Sequence, residues 1–129
     1  MKSQEMMEKA IRAADSAQLL LAAGDADGAC NRAYYAMFDA ARAALMAVDA
    51  RARAQTARTH GGLISAFGLY LVKPGHVSAE MGRLLNRAQE CRLVADYSGD
   101  LLEENDAAQV VGNAQRFISA MQVLIKKPM

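Results

Sequence analysis

The stretch from Asp25 to Val48 constrains the fold most, because its apolar residues recur with the period of a helix. At about 100° per residue, most of the apolar side chains fall on one side. They are Cys30, Ala33, Tyr34, Met37, Ala41, Ala44 and Val48. A second group falls on the other side, namely Asn31, Arg32, Tyr35, Asp39 and Arg42. The stretch therefore predicts one long helix with a core face and a compact polar face.

Four further stretches with helical spacing predict four more helices. Their ends carry residues that commonly cap or stop helices. Gly24 is expected to end the first helix, which begins at Ser3 and continues to Ala23, and Asp25 is expected to cap the second. The third helix is expected to follow Thr59 and the fourth to follow Ser78. The fifth is expected to begin near Glu103 or Asn105 and to run to the terminal lysines.

The segments between these stretches lack an apolar stripe and are rich in polar, glycine or proline residues. They are residues 49–58, 73–76 and 96–100. No stretch shows the alternation of a strand over a useful length, and two prolines leave long uninterrupted runs. The sequence therefore predicts a single all-α domain over residues 1–129, an up-and-down antiparallel bundle of about five helices.

Charge and hydropathy exclude several classes of function. The chain has 129 residues and a formal net charge of +1, so it lacks the basic excess of proteins that hold DNA through many phosphates. No apolar run approaches the roughly 20 residues of a membrane span. The first residues do not resemble a signal peptide. We expect a cytoplasmic protein that binds neither membranes nor DNA, and any anion site must be local.

Cys30 and Cys91 are the two cysteines of the chain, and neither belongs to a CxxC pair. No histidine lies at metal-ligand spacing from either one. We expect two reduced, buried thiols. The alternative is a redox pair, which requires the two sulfurs to be close in space. The sequence also lacks a phosphate-binding glycine loop, zinc-ligand spacing and a nucleophile elbow, so we expect no cofactor and no metal.

Three candidate sites remain. Asn31, Arg32 and Tyr35 could bind a base or a phosphate, although the same face could be solvated or could clamp neighbouring helices.

Arg92 falls at the centre of the apolar arc of the fourth predicted helix, so it must be paired or border a cavity. Asp96 lies four residues later and Tyr97 follows, which makes a second polar cluster or a structural ion pair. His60 follows Thr59 at the start of the third helix. It could serve as an acid or base or lie at an anion site, or could be structural or merely exposed.

Three segments together resemble a known family. They are residues 24–38, which contain the run from Asn31 to Phe38, residues 59–67, and residues 92–97. In this order and spacing the chain resembles the small HEPN-domain proteins of bacteria and archaea, over roughly residues 8–125. The name stands for "higher eukaryotes and prokaryotes nucleotide-binding".

The resemblance implies an antiparallel helical bundle that forms a twofold homodimer. It also implies a minimal nucleotidyltransferase as partner, in a toxin–antitoxin type of module. Many HEPN toxins are metal-independent endoribonucleases, in which an Arg and a His with four to six residues between them act across the dimer. The His is the acid and base for attack of a ribose 2′-OH on the adjacent phosphate, and the Arg stabilises charge.

This chain departs from that signature, because Tyr97 stands where the His after Arg92 would be. A literal match occurs at Arg53, six intervening residues, and His60. We therefore expect nucleotide or RNA binding by a groove lined by Asn31, Arg32, Tyr35, His60, Arg92, Asp96 and Tyr97. Two alternatives are an endoribonuclease that uses His60 with Arg53 or Arg92, and a non-catalytic interaction or dimerisation module.

Overall fold

The computed structural model describes residues 3–48, 59–97 and 103–126. Within these ranges the chain forms helices joined by turns, with no strand. The helices are α1 (Ser3–Ala22), α2 (Ala26–Val48), α3 (His60–Phe67, continued by a π-helical turn over Gly68–Val72), α4 (Ala79–Tyr97) and α5 (Glu104–Lys126). The predicted all-α bundle of five helices is confirmed.

Helix α2 is the central element, because it contacts each of the other four helices. Small side chains make this possible, since alanine allows neighbouring backbones to approach closely. The buried alanines of α2 are Ala29, Ala33, Ala36, Ala40, Ala41, Ala43 and Ala44. Larger side chains from the other helices fill the remaining space, and the Phe67 and Phe117 rings lie 5.4 Å apart between centroids. A helix covered on so many sides has little room for a solvated face.

The connection between α1 and α2 follows from Gly24 and Asp25. Gly24 has φ +86°, a left-handed conformation that glycine adopts without steric cost. Its N–H donates to the Leu21 carbonyl and the Asp25 N–H donates to the Leu20 carbonyl, which is a Schellman ending. The Asp25 carboxylate then accepts from the Gly28 N–H at 2.8 Å. Both predicted roles, the stop at Gly24 and the cap at Asp25, are confirmed.

Helix α3 begins as the sequence predicts. Thr59 has extended backbone angles, and its hydroxyl accepts from the Gly62 N–H at 2.8 Å. This cap places His60 in the first turn of the helix. The break at 73–76 is also confirmed, because Gly75 has φ +87° and the chain turns there into α4. Ser78 directly precedes α4, as expected.

Two helix boundaries differ from the sequence prediction. Helix α1 ends at Ala22, one residue earlier than expected. Helix α4 continues through Asp96 to Tyr97, where the sequence predicted a break. The ion pair between Arg92 and Asp96, one turn apart, favours helical geometry at this end. The predicted loop over residues 49–58 and the rest of the predicted turn, residues 98–100, lie outside the described residues.

The start of α2 makes a quantitative prediction about Gly28. A Cβ at this position would lie 2.3 Å from Asp25 Oδ2, so Gly28→Ala must displace the capping carboxylate. Alanine favours a helix over glycine by about 1 kcal/mol, and loss of an Asp cap costs about 1 kcal/mol. Gly28→Ala should therefore change the free energy of unfolding little in the wild-type chain, but increase it by about 1 kcal/mol in an Asp25→Ala background.

Chemical denaturation of the four proteins in this cycle measures both effects. Equal effects of Gly28→Ala in the two backgrounds would show that the Asp25 cap and the Cβ do not compete for the same space.

Candidate functional site

Tyr34 lies at the centre of a polar and aromatic cluster that joins three helices. Its side chain on α2 is fully buried. Its hydroxyl oxygen lies 2.6 Å from Nδ1 of His60 on α3. The Arg92 guanidinium of α4 lies over the Tyr34 ring, with its central carbon 5.0 Å from the ring centroid. We call Tyr34, His60 and Arg92 the Tyr34 cluster.

Arg92 brings a positive charge into the bundle, because it lies on the inward arc of α4 and is only 9% exposed. One guanidinium nitrogen donates to the Asp96 carboxylate at 3.2 Å, and the other donates to Gln89 Oε1 at 3.4 Å. Both bonds are longer than a typical charge-assisted bond of about 2.8 Å. The buried Nε has no hydrogen-bond partner among the described residues. The charge is thus held by one long ion pair and by the π face of Tyr34.

His60 is kept neutral by its surroundings. Desolvation lowers the pKa of His60 first, and the positive charge of Arg92 lowers it further. Both effects disfavour a second positive charge in the same small region. His60 therefore presents a neutral imidazole at pH 7.

The hydrogen bond from Tyr34 determines which imidazole nitrogen is available. Burial raises the pKa of Tyr34 to about 12, and the nearby Arg92 offsets only part of this rise. The phenol therefore stays protonated, and a buried hydroxyl needs an acceptor. We assign the donor role in the 2.6 Å bond to the Tyr34 hydroxyl and the acceptor role to His60 Nδ1. The proton of the neutral ring then lies on Nε2, which can donate a hydrogen bond.

Two more aromatic side chains of α2 lie beside His60. The Phe38 ring centroid is 4.6 Å from that of His60, and the Tyr35 centroid is 5.7 Å from it in an edge-to-face arrangement. Both Tyr35 and Phe38 are half-buried. The Arg42 guanidinium carbon lies 6.0 Å from the Phe38 centroid. Half-buried aromatic rings next to a donor imidazole form a surface on which a planar group can stack.

The structure brings some of the sequence-predicted site residues together and separates others. Tyr35, His60, Arg92 and Asp96 meet around Tyr34. Asn31 is half-buried one helical turn before Tyr35.

Arg32 is half-buried, and its charge lowers the carboxyl pKa of Asp39. Tyr97 is the last residue of α4, and its side chain is outside the described residues, as is all of Arg53.

Sequence reasoning missed Tyr34 as a site residue. The helical period places it on the core face, and it is indeed fully buried. The missed signal was chemical, since a buried phenol needs a polar partner and so draws polar residues toward it. His60 and Arg92 reach the cluster because Tyr34 lies between them.

Asp39, which the helical period places on the polar face of α2, is buried by a neighbouring helix. Asp39 is only 5% exposed, and burial raises the pKa of its carboxyl while Lys9, Arg42 and Arg32 lower it. Lys9 belongs to α1, and α1 makes extensive contact with α2. Packing of α1 therefore covers part of the polar face of α2, which the helical period of α2 alone does not reveal.

The described residues offer no metal centre and no membrane span. In the ranges 3–48, 59–97 and 103–126, no three His, Cys, Asp or Glu side chains are grouped closely enough to hold a metal ion. No helix in the same part of the chain combines the length and hydropathy needed to cross a bilayer.

Comparison with known proteins places this geometry in context. Residues 3–124 match the family model described as the HEPN domain. A UPF0332 protein of Gloeobacter violaceus is 32% identical over 126 residues, 95% of this chain and 96% of that protein.

A UPF0332 protein of Thermotoga maritima is 35% identical over 114 residues, 87% of this chain and 82% of that protein. A protein of Methanocaldococcus jannaschii, named as a candidate toxin, is 31% identical over 96 residues, 74% of this chain and 68% of that protein.

The electrostatic coupling in the Tyr34 cluster predicts the titration of His60. Arg92→Met keeps most of the side-chain volume but removes the charge that lowers the pKa of His60. We expect the pKa of His60 to rise toward its ordinary value of about 6.5. Arg87→Met removes an exposed charge from the same helix and should leave the titration of His60 unchanged.

NMR titration of the His60 imidazole signals in the three proteins measures the change. The expectation fails if the pKa of His60 stays the same or falls in Arg92→Met.

Proposed function

The chain belongs to the HEPN family, and we propose that it is a toxin-like HEPN protein that binds a nucleotide or RNA at the Tyr34 cluster. The carrying observation is the buried and incompletely bonded guanidinium of Arg92 against the Tyr34 ring, with the half-buried rings of Tyr35 and Phe38 beside His60. A phosphate would bond to the guanidinium, and a base would stack on the half-buried rings.

Phosphate is the anion that suits Arg92 best. Its guanidinium makes two bonds of 3.2 and 3.4 Å and leaves the buried Nε unsatisfied. Arginine binds phosphate through several parallel N–H donors, which would replace these weak bonds with stronger ones. The partner Asp96 is one-third exposed and can turn toward solvent as the anion enters. In this proposal Asp96 orients Arg92 in the free protein.

The base would stack near His60. Tyr35 and Phe38 are half-buried, and stacking of a base on an aromatic side chain contributes about 1–3 kcal/mol with little dependence on sequence. The neutral His60 offers an Nε2–H donor next to these rings, and Asn31 lies one turn before Tyr35. Donor, amide and ring together suit a nucleobase, whereas an inorganic anion would use only Arg92.

We include two protein partners in the proposal, a second copy of the chain and a minimal nucleotidyltransferase in a toxin–antitoxin type of module. The name of the Methanocaldococcus jannaschii relative supports the toxin-like role. The apolar side chains of Leu93 and Val94 on α4 are 40% and 43% exposed and offer a surface that a second copy could contact.

A metal-independent endoribonuclease is the second candidate, because His60 and Arg92 meet around Tyr34. Cleavage needs a base to remove the 2′-OH proton and an acid to protonate the leaving oxygen. His60 Nδ1 accepts from Tyr34, and the remaining Nε2–H can donate a proton but cannot accept one. This arrangement favours binding over cleavage.

Binding can be tested by titration of the ¹⁵N-labelled protein with adenosine 5′-monophosphate and with a short single-stranded oligoadenylate. We expect shifts of the amide signals of Tyr34, Tyr35, His60 and Arg92. Arg92→Met should weaken binding by about tenfold or more, equivalent to about 1.4 kcal/mol, because it removes the phosphate contact. The matched variant Arg87→Met loses an exposed arginine of the same helix and should bind as the wild type does.

Tyr35→Leu provides a test that does not depend on the buried arginine. It keeps a half-buried apolar side chain but removes the ring, so the protein should fold and bind the oligonucleotide more weakly. The proposal is wrong if neither probe shifts the cluster, or if Arg92→Met and Arg87→Met weaken binding equally.

The two candidate functions differ in a cleavage assay with EDTA present. We expect the wild-type protein to bind the RNA and leave it intact, because the basic nitrogen of His60 is occupied. Gel analysis of a labelled single-stranded RNA measures this, with His60→Ala as the control. Cleavage that persists in EDTA and disappears in His60→Ala would establish the endoribonuclease instead.

A further inference from the structure

The two cysteines of the chain face each other across the contact between α2 and α4. Tyr34 lies one helical turn after Cys30, and Arg92 directly follows Cys91. Because Arg92 lies over the Tyr34 ring at 5.0 Å, the two helices are in contact at this level. The Cys30 and Cys91 thiols interact, and each shifts the pKa of the other. Both thiols are free, so the structure shows the reduced form of a close pair.

The two sulfurs differ in access from solvent. Cys30 is fully buried, whereas Cys91 is half-buried. Cys91 also lines an open cavity of about 320 Å³ between α4 and α5, with Arg87, Glu90, Val94, Asp106 and Val110 among its other lining residues. A small reagent can therefore reach Cys91 from this cavity, whereas Cys30 neither lines the cavity nor has exposed surface.

The interaction between the thiols also gives them different chemistry. The neighbouring Cys30 thiol lowers the pKa of Cys91, although desolvation and the charges of Asp106 and Asp27 act in the opposite direction. The Cys91 thiol raises the pKa of Cys30, and burial raises it further. Thiolates are the nucleophiles in disulfide exchange, so Cys91 is the better attacking group of the two.

We propose that Cys91 and Cys30 form a thiol–disulfide exchange pair, in which Cys91 attacks a small disulfide and Cys30 resolves the adduct. In the first step the Cys91 thiolate bonds to one sulfur of the disulfide, and the other half leaves as a thiol after it takes up a proton. In the second step Cys30 loses its proton and attacks the Cys91 sulfur, which releases the second half as a thiol. The net reaction converts one small disulfide and two protein thiols into two small thiols and a Cys30–Cys91 disulfide.

The charges around the cavity favour a cationic disulfide as the reagent. Glu90 and Asp106 carry two negative charges at its lining and Arg87 carries one positive charge. An anionic disulfide would be repelled by this net charge, whereas a cationic one would be concentrated near it. Cystamine, which has an amine at each end, is therefore the probe of choice.

This reaction does not rest on the proposed binding function. Neither sulfur is a member of the Tyr34 cluster, and the exchange requires only the two thiols and the open cavity. Failure of nucleotide binding would leave the redox pair intact, and failure of the redox pair would leave Arg92 and His60 in place.

Reaction of the reduced, folded protein with cystamine tests the pair by intact mass spectrometry. We expect the wild-type chain to lose two hydrogens and retain no probe, with a Cys30–Cys91 linked peptide after digestion. Cys30→Ser should stop at the first step and retain one half of cystamine on Cys91. Cys91→Ser should react at least about tenfold more slowly than the wild type, because its remaining thiol is buried.

Each opposite result overturns the proposal. Examples are a wild-type chain that keeps the probe on Cys91, a disulfide between two chains, or a Cys91→Ser variant that reacts as fast as the wild type. Even if Cys30→Ser does not fold, the mass change of the wild-type chain shows whether the Cys30–Cys91 disulfide forms or the probe stays on Cys91. Circular dichroism confirms the fold of each variant.

Discussion

The burial of the Arg92 charge against the ring of Tyr34 is the interaction on which the candidate site depends. A guanidinium in a helical core is costly unless other groups compensate it, and here Tyr34 supplies a π face while Asp96 supplies the opposite charge. Because Tyr34 also bonds to His60, the same arrangement sets the charge and the proton position of the imidazole. One buried cation thus organises residues from three helices.

Helix α2 makes this arrangement possible because its small side chains allow four helices to pack around it. Its core face supplies Tyr34 to the cluster, and its neighbouring edge supplies the half-buried rings of Tyr35 and Phe38. The same packing places Cys30 against Cys91, one residue from Arg92. The proposed binding site and the proposed thiol pair therefore occupy adjacent parts of the contact between α2 and α4.

The helices themselves were predictable because their signals are local. The Schellman ending at Gly24, the caps at Asp25 and Thr59, and the helical period of each stretch involve residues a few positions apart. The end of α4 was misjudged, because residues typical of a turn follow Asp96 while the side-chain pair to Arg92 extends the helix to Tyr97. The inward direction of Arg92 was also predictable, since it lies within an apolar arc of its own helix.

The sequence by itself determined the all-α fold, the family, and the presence of an inward arginine with a carboxylate one turn away, since each follows from spacing along one chain segment. Only the tertiary structure decided that Tyr34 and not Tyr35 receives Arg92, that α1 covers Asp39, and that the two thiols interact. The physical reason is that a periodic pattern fixes which way a side chain points from its own helix. Which partner it meets depends on how the helices are placed against each other.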